Sequence, residues 1–207
     1  MYQKMFKRVI DVVLALLGLI VLSPVLLLII VVIKLDSKGP ILFEQKRVGK
    51  DKVLFKIYKF RTMKVDTPKD APTHLLKNPD FFITKVGKIL RKTSLDELPQ
   101  LINILKGEMS IIGPRPALWN QYDLVTERDK YKANDIYPGL TGWAQINGRD
   151  ELPIQKKAAL DGVYMKKISF LFDVKCFVGT IISVVKNDGI IEGGTGSLKN
   201  REAMEND

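Results

Sequence analysis

Apolar residues run without a single charge from Val12 to Ile33, the longest such stretch in the chain. As one helix these 22 residues would reach about 33 Å, just past the roughly 30 Å hydrocarbon core of a bilayer. Ser23-Pro24 falls at the middle of the run. Proline removes one helical hydrogen bond and crowds the preceding turn, so a bend is expected there, leaving two halves of about 16 Å each. Each half can reach the bilayer midplane and return, and the Ser23 hydroxyl can satisfy a backbone group freed at the bend. No small-residue cleavage site follows, since Lys34-Leu35-Asp36-Ser37-Lys38 comes next, which argues against a cleaved secretory signal.

Beyond the run the pattern changes to short mixed elements. Ile41–Gln45 and Val53–Met63 read as strands around a Val48-Gly49-Lys50-Asp51 turn. Residues 66–80, with Pro68, Pro72 and Pro79, read as a loop. Phe82, Val86, Ile89 and Leu90 repeat at helical spacing within Phe81–Lys92, opposite Lys85, Lys88, Arg91 and Lys92, which suits a membrane surface. Leu98–Leu105 continues as helix, Met109–Ile112 as a short strand and Trp119–Lys132 as a polar helix. Pro138–Arg149 is a Gly-rich loop, Pro153–Lys167 and Ile168–Val185 are helices, and a flexible tail is expected after Asp188.

Charge sharpens the membrane reading. The net charge is +10, and residues 1–64 hold 13 Lys and Arg against 4 Asp and Glu, so nearly all the excess flanks the apolar run. A basic patch beside a hydrophobic segment fits anionic lipid head groups better than nucleic acid. Lys4, Lys7 and Arg8 precede the run, while Lys34, Lys38, Lys46, Arg47, Lys50 and Lys52 follow it, so both flanks carry the cytoplasmic signature. A spanning helix would put one cluster outside and a re-entrant hairpin keeps both inside; the pattern alone leaves both topologies open. The single Cys176 reads as packing, and the single His74 makes multi-histidine metal sites and His-centred triads poor fits.

The chemistry-bearing segment is Thr93-Ser94-Leu95-Asp96-Glu97-Leu98-Pro99. Ser94 and Glu97 have the spacing of a capping box, a purely structural role, although Pro99 fits that register poorly. In either register the acids face a helix start, where the charged form is favoured and a phosphate can dock. Arg91 lies five residues before Asp96, and Arg115 is held between prolines in Gly113-Pro114-Arg115-Pro116, either a solvated turn or a preorganised fork for phosphate oxygens. Lys59 and Arg61 alternate on one strand face, either a solvated edge or two more phosphate-binding cations. An acid pair can also hold magnesium bridging two phosphates.

Taken in order, several segments together are specific. They are Lys7-Arg8-Val9-Ile10-Asp11, Ser23-Pro24, Leu42-Phe43-Glu44-Gln45-Lys46-Arg47-Val48-Gly49, Tyr58-Lys59-Phe60-Arg61-Thr62-Met63, Ser94-Leu95-Asp96-Glu97-Leu98-Pro99-Gln100, Gly113-Pro114-Arg115-Pro116, and Pro138 through Trp143 to Arg149. From about Lys7 to Lys186 the chain resembles the monotopic phosphoglycosyl transferases, also called bacterial sugar transferases. The resemblance implies a UDP-sugar donor, undecaprenyl phosphate as acceptor, magnesium as cofactor and release of UMP. It implies Asp96 as nucleophile, Glu97 as its partner in catalysis and metal binding, and Arg91 and Arg115 as phosphate contacts. It also implies that the first helix is a re-entrant hairpin broken at Ser23-Pro24. The small size of the chain favours an N-acetylated amino sugar.

The expected architecture is therefore a mostly helical α/β membrane-associated domain at the cytoplasmic face of the bacterial inner membrane. Residues 1–38 form the hairpin, 39–188 the catalytic domain with a β-hairpin and interfacial helices, and 189–207 the tail. The expected partners are UDP-sugar, undecaprenyl phosphate and membrane lipid, without nucleic acid, and a homodimer is allowed for. The rival reading is a non-catalytic adaptor whose acids cap a helix and whose basic face binds anionic lipid.

Overall fold

The long apolar run folds as one helix, α1 (Lys7–Asp36), entered through a wider turn at Tyr2–Phe6. The structure, a computed structural model, describes residues 2–67, 79–148 and 151–186. Most of the 66–80 loop, His74, Arg149 and the tail after Asp188 lie outside these residues. Pro24 has no N–H for the Ile20 carbonyl, and the Ser23 hydroxyl donates to that oxygen at 2.8 Å. The expected break at Ser23-Pro24 is thus no interruption of the helix: a side-chain donor takes over the lost bond and α1 runs on through Pro24.

One stripe of α1 meets the rest of the chain along its length. Ala15 and Leu19 pack with Ile57, Leu101, Ile104 and Met109, while Leu26, Ile29, Ile30 and Ile33 pack with Phe60, Leu90 and Leu98. These positions recur at three- and four-residue steps, as a single buried helix face requires. The opposite side is apolar and uncovered, with Val21 72% and Leu28 63% exposed.

Both ends of α1 are pinned to the same body. Near its start, Lys7 pairs with Asp173 at 2.8 Å, Arg8 donates to the carbonyls of Ile104 and Met109, and the buried Asp11 accepts from Ser110 Oγ at 2.7 Å and Ile111 N at 3.0 Å. Beyond its end, the Arg61 guanidinium donates to the carbonyls of Ser37 and Lys38, both at 2.7 Å.

After α1 come β1 (Leu42–Val48) and β2 (Leu54–Phe60), antiparallel, with Leu42 opposite Phe60 and Val48 opposite Leu54. The turn between them takes Asp51 and Lys52 into the left-handed region, at φ 53° and 61°. The second strand ends at Phe60, short of the expected Met63, because Arg61 turns away to α1. The expected helix at Phe81–Lys92 divides into α2 (Pro79–Phe82) and α3 (Lys85–Lys92), since Thr84 caps α3 by accepting from Gly87 N at 2.9 Å. Next come α4 (Gln100–Lys106), β3 (Ser110–Ile112) and α5 (Tyr122–Asp129).

Inside the supposed Gly-rich loop lies an unexpected strand, β4 (Gly139–Thr141), parallel to β3. Two backbones meet closely there, and a Cβ on Gly139 would overlap the Gly113 backbone. Finally α6 (Ile154–Lys167) and α7 (Phe170–Lys186) close the body. Cys176 of α7 is fully buried beside Ile112 and Tyr164, and burial pushes its thiol up to about 12, in keeping with a packing role.

Between α5 and α6, Arg128 donates from Nε to Asp161 at 2.8 Å, with the two residues 3% and 1% exposed. Asp161→Asn leaves a buried guanidinium without its countercharge and is expected to cost about 3–5 kcal/mol in urea unfolding, whereas Arg128→Met with Asp161→Leu should recover most of it. A loss under about 1 kcal/mol for the single variant would show that the site admits water.

Candidate active site

The acidic pair sits on a single tight turn, Leu95–Glu97, between α3 and α4. Ser94, at φ 56°, is left-handed, a conformation that a non-glycine residue adopts at a cost, and it turns the chain sharply out of α3. Its side chain makes no capping bond, and Glu97 turns to cations rather than back to the Ser94 backbone. The capping-box reading of Ser94 and Glu97 is thereby excluded.

Both acids are nearly dry, each 7% exposed. Glu97 is clamped from two sides. Lys59 of β2 donates to its Oε1 at 2.7 Å, while Arg115 donates to Oε1 at 2.7 Å and Oε2 at 3.3 Å. The fork expected for phosphate is directed at a carboxylate, and its backbone is fixed in turn by the Gly139 N to Pro114 carbonyl bond at 2.8 Å. Asp96 is held more loosely, with Lys59 Nζ 3.9 Å away.

Burial pushes the Asp96 carboxyl above the usual range, against the pull of Lys59, Arg91 and Arg115, and neighbouring Glu97 pushes the same way. The downward push expected from a helix start is outweighed here. One short turn offers little dipole, and desolvation outweighs it. Lys59 is shifted in the opposite sense, down, chiefly by burial, with Glu97 opposing. Arg91 ends α3 with Nε donating to Thr62 Oγ1 at 3.1 Å, near enough for its charge to act on Asp96.

Of the residues singled out in the sequence, Lys59, Arg91, Arg115, Asp96 and Glu97 are thus brought together. Arg61 is not, because its guanidinium is spent on the Ser37 and Lys38 carbonyls, where it ties down the exit of α1. Ser23 and Pro24 are exposed at the middle of α1. Beside Glu97 and Arg115 opens a cavity of about 330 Å³ walled by α7, β4 and the turn Gln145–Asn147.

The profile of the bacterial sugar transferases matches residues 2–187. This chain belongs to the bacterial sugar transferase family. It is 40% identical over 184 residues to a sugar transferase of uncharacterised role, EpsL of Bacillus subtilis strain 168, covering 89% of each chain. It is 44% identical over 187 residues to the UDP-glucose:undecaprenyl-phosphate glucose-1-phosphate transferase of Escherichia coli K12, matching 86% of this chain and 40% of that one. A UDP-N-acetylgalactosamine-undecaprenyl-phosphate N-acetylgalactosaminephosphotransferase of Aeromonas hydrophila is 37% identical, with 88% of this chain and 44% of that one aligned. The transferase therefore spans less than half the length of these two larger relatives and nearly all of the Bacillus protein.

Sequence reading of this transferase assigned no role to Asp11 or Gln145, although both lie in the quoted motifs. Asp11 holds α1 to β3, and Gln145 lines the cavity. A lone acid immediately before the apolar run was the one available signal for the first. The second depends on a turn that spacing does not reveal.

Arg115→Lys keeps the charge but cannot chelate both Glu97 oxygens, so kcat/KM of the transferase is expected to fall on the order of tenfold to a hundredfold with folding intact. An unchanged kcat/KM would mean that Lys59 alone positions Glu97.

Proposed function

We propose that the chain transfers a sugar phosphate from a UDP-sugar to undecaprenyl phosphate at the cytoplasmic face of the bacterial cytoplasmic membrane. The reading is carried by the unequal holding of two buried acids, Glu97 fixed by Lys59 and Arg115 and Asp96 left with a looser contact. Two relatives named for UDP-sugar and undecaprenyl phosphate support the substrate classes. Their names divide between glucose and N-acetylgalactosamine, and an N-acetylated amino sugar is the donor proposed here.

In the proposed reaction an Asp96 carboxylate oxygen attacks the sugar-side phosphorus. The bond from that phosphorus to the bridging oxygen breaks, and UMP leaves with the electron pair. An oxygen of the lipid phosphate then attacks the phosphorus of the aspartyl-phosphosugar, and the carboxylate of Asp96 is released. Division into two displacements lets one carboxylate serve both substrates in turn. Arg91, Lys59 and Arg115 surround the position with positive charge suited to phosphoryl oxygens.

Magnesium is bound by one or two carboxylates together with substrate phosphates, and the loosely held Asp96 would hold it, joined by Glu97 once Lys59 or Arg115 turns to the phosphates. Bound there, the ion would offset phosphate charge in the transition state. Because burial disfavours the charged Asp96, added positive charge at this place also favours the form that attacks.

The lipid acceptor calls for a body resting on the membrane. The uncovered face of α1 and the exposed Leu171, Val178 and Ile182 of α7 supply apolar surface, and the basic flanks of α1 supply lipid head-group contacts. With both ends of α1 on one body, the proposed topology enters and leaves on the cytoplasmic side, the helix bending at Pro24 without breaking there.

Purified protein offered a panel of UDP-sugars with undecaprenyl phosphate should release UMP with at least one of them, and Asp96→Asn should abolish release. A normal rate for that variant would refute the role of Asp96, and silence across the panel would favour the adaptor. For topology, cysteines placed singly at Gln3 and Ser37, with Cys176 replaced, should both resist an impermeant thiol reagent in intact cells and both react after lysis. Labelling of position 3 alone in intact cells would contradict the proposed entry and exit.

A further inference from the structure

The cavity beside the acids has a feature that phosphate chemistry leaves unused. Its walls are largely hydrocarbon, from Leu98, Ile111, Leu140, Phe177 and Ile181, and Glu97 and Arg115 are also among the residues that line it. Into this lining comes Gln145, only 9% exposed, and neither its side-chain oxygen nor its nitrogen has a hydrogen-bond partner among the described residues. Elsewhere on the wall Thr141 and Thr180 share a 2.7 Å hydrogen bond and Thr180 donates on to the Cys176 carbonyl at 2.8 Å, while the Ser94 hydroxyl, like Gln145, has no partner among the described residues. A buried amide with both ends unpaired is costly, and folded chains keep few of them. Nearby Gly142 gives the amide its room, since a Cβ there would meet Gln145 Oε1 at 3.1 Å and overlap the Gly113 carbonyl.

We propose that Gln145 recognises the base of the donor nucleotide, so that the cavity is the pyrimidine pocket of the transferase. An amide offers one acceptor and one donor side by side. Uracil presents the complement on one edge: its N3–H donates to the Gln145 oxygen, and an adjacent ring carbonyl accepts from the Gln145 NH₂. In the proposed pose the hydrocarbon walls cover the faces of the ring, and Arg115, which shares the lining, would meet the nucleotide's phosphates. This is the usual composition of a small-molecule site, mostly apolar with a few placed polar groups. At about 330 Å³ the cavity is of a size for a nucleoside. A polyprenyl tail in the same space would leave both amide atoms unpaired against hydrocarbon, and for that reason the base is the occupant assigned.

The inference rests on the reading of the chain as a UDP-sugar transferase, and the test separates the two. Binding of UMP and of ribose 5-phosphate to the full chain in detergent is measured by titration calorimetry for the native protein, Gln145→Leu and Gln145→Glu. The native protein should prefer UMP. Both variants should lose UMP affinity on the order of tenfold to a hundredfold, as expected for two hydrogen bonds in a dry pocket, with ribose 5-phosphate binding unchanged. The leucine variant removes an unpaired amide from apolar surroundings and the glutamate variant keeps the length, so the two guard each other against misfolding. If the native protein turns over UDP-sugar and both variants retain its preference for UMP, the role of Gln145 is overturned while the transferase reading stands. A change confined to the KM for a polyprenyl phosphate would also overturn it, in favour of the lipid tail. If the native protein neither binds UMP nor releases it from any UDP-sugar, both readings fall together.

Discussion

Everything at the centre of this molecule follows from placing two neighbouring carboxylates where water hardly reaches. Like charges in such a place repel each other and lose hydration, so cations must be built in around them. Glu97 takes the closest of these, Lys59 from the hairpin and Arg115 from the turn after β3. Asp96 receives the remainder, a lysine at 3.9 Å and the field of Arg91. Four separated segments must therefore arrive together: the end of β2, the end of α3, the tight turn itself and the Gly113-Pro114-Arg115-Pro116 loop. The parallel pairing of β3 with β4 fixes the last of them, through an approach so close that glycine is required at position 139.

The same body also grips its long apolar helix at both ends. Buried polar contacts do this, Asp11 to Ser110 and Ile111 at one end and Arg61 to Ser37 and Lys38 at the other. Side-chain hydrogen bonds of this kind are directional and costly to leave unmade, so they set the position of α1 more sharply than apolar packing alone. The α1 helix shares one buried stripe with the hairpin, α3 and α4, and the hairpin and α3 also carry Lys59 and Arg91. The long helix and the acidic turn are in this way parts of one packed unit.

Much of this was legible in the chain, and the limits have physical causes. The apolar run, the hairpin and the later helices announce themselves through period and turn residues. The convergence of Lys59, Arg91, Arg115, Asp96 and Glu97 was legible only because ordered motifs resemble a family, since spacing alone allowed a capping box and a solvated strand edge. Arg61 misled because alternation on a strand predicts a shared face, and the strand stops one residue before it. The continuity of α1 through Pro24 was hidden because the Ser23 hydroxyl replaces the missing donor at Ile20. The strand β4 was hidden because it is three residues long and two of them are Gly and Thr. The Asp96 carboxyl is pushed up rather than held down because burial is a tertiary property that no local pattern carries.

The central claim is a division of labour in which Glu97 is held and Asp96 reacts. Intact mass spectrometry of the protein given donor but no lipid acceptor tests it most directly. The account predicts a mass increase equal to one phosphosugar, carried by the peptide containing Asp96 and absent from Asp96→Asn. An unmodified protein, with UMP appearing only once undecaprenyl phosphate is added, would contradict it.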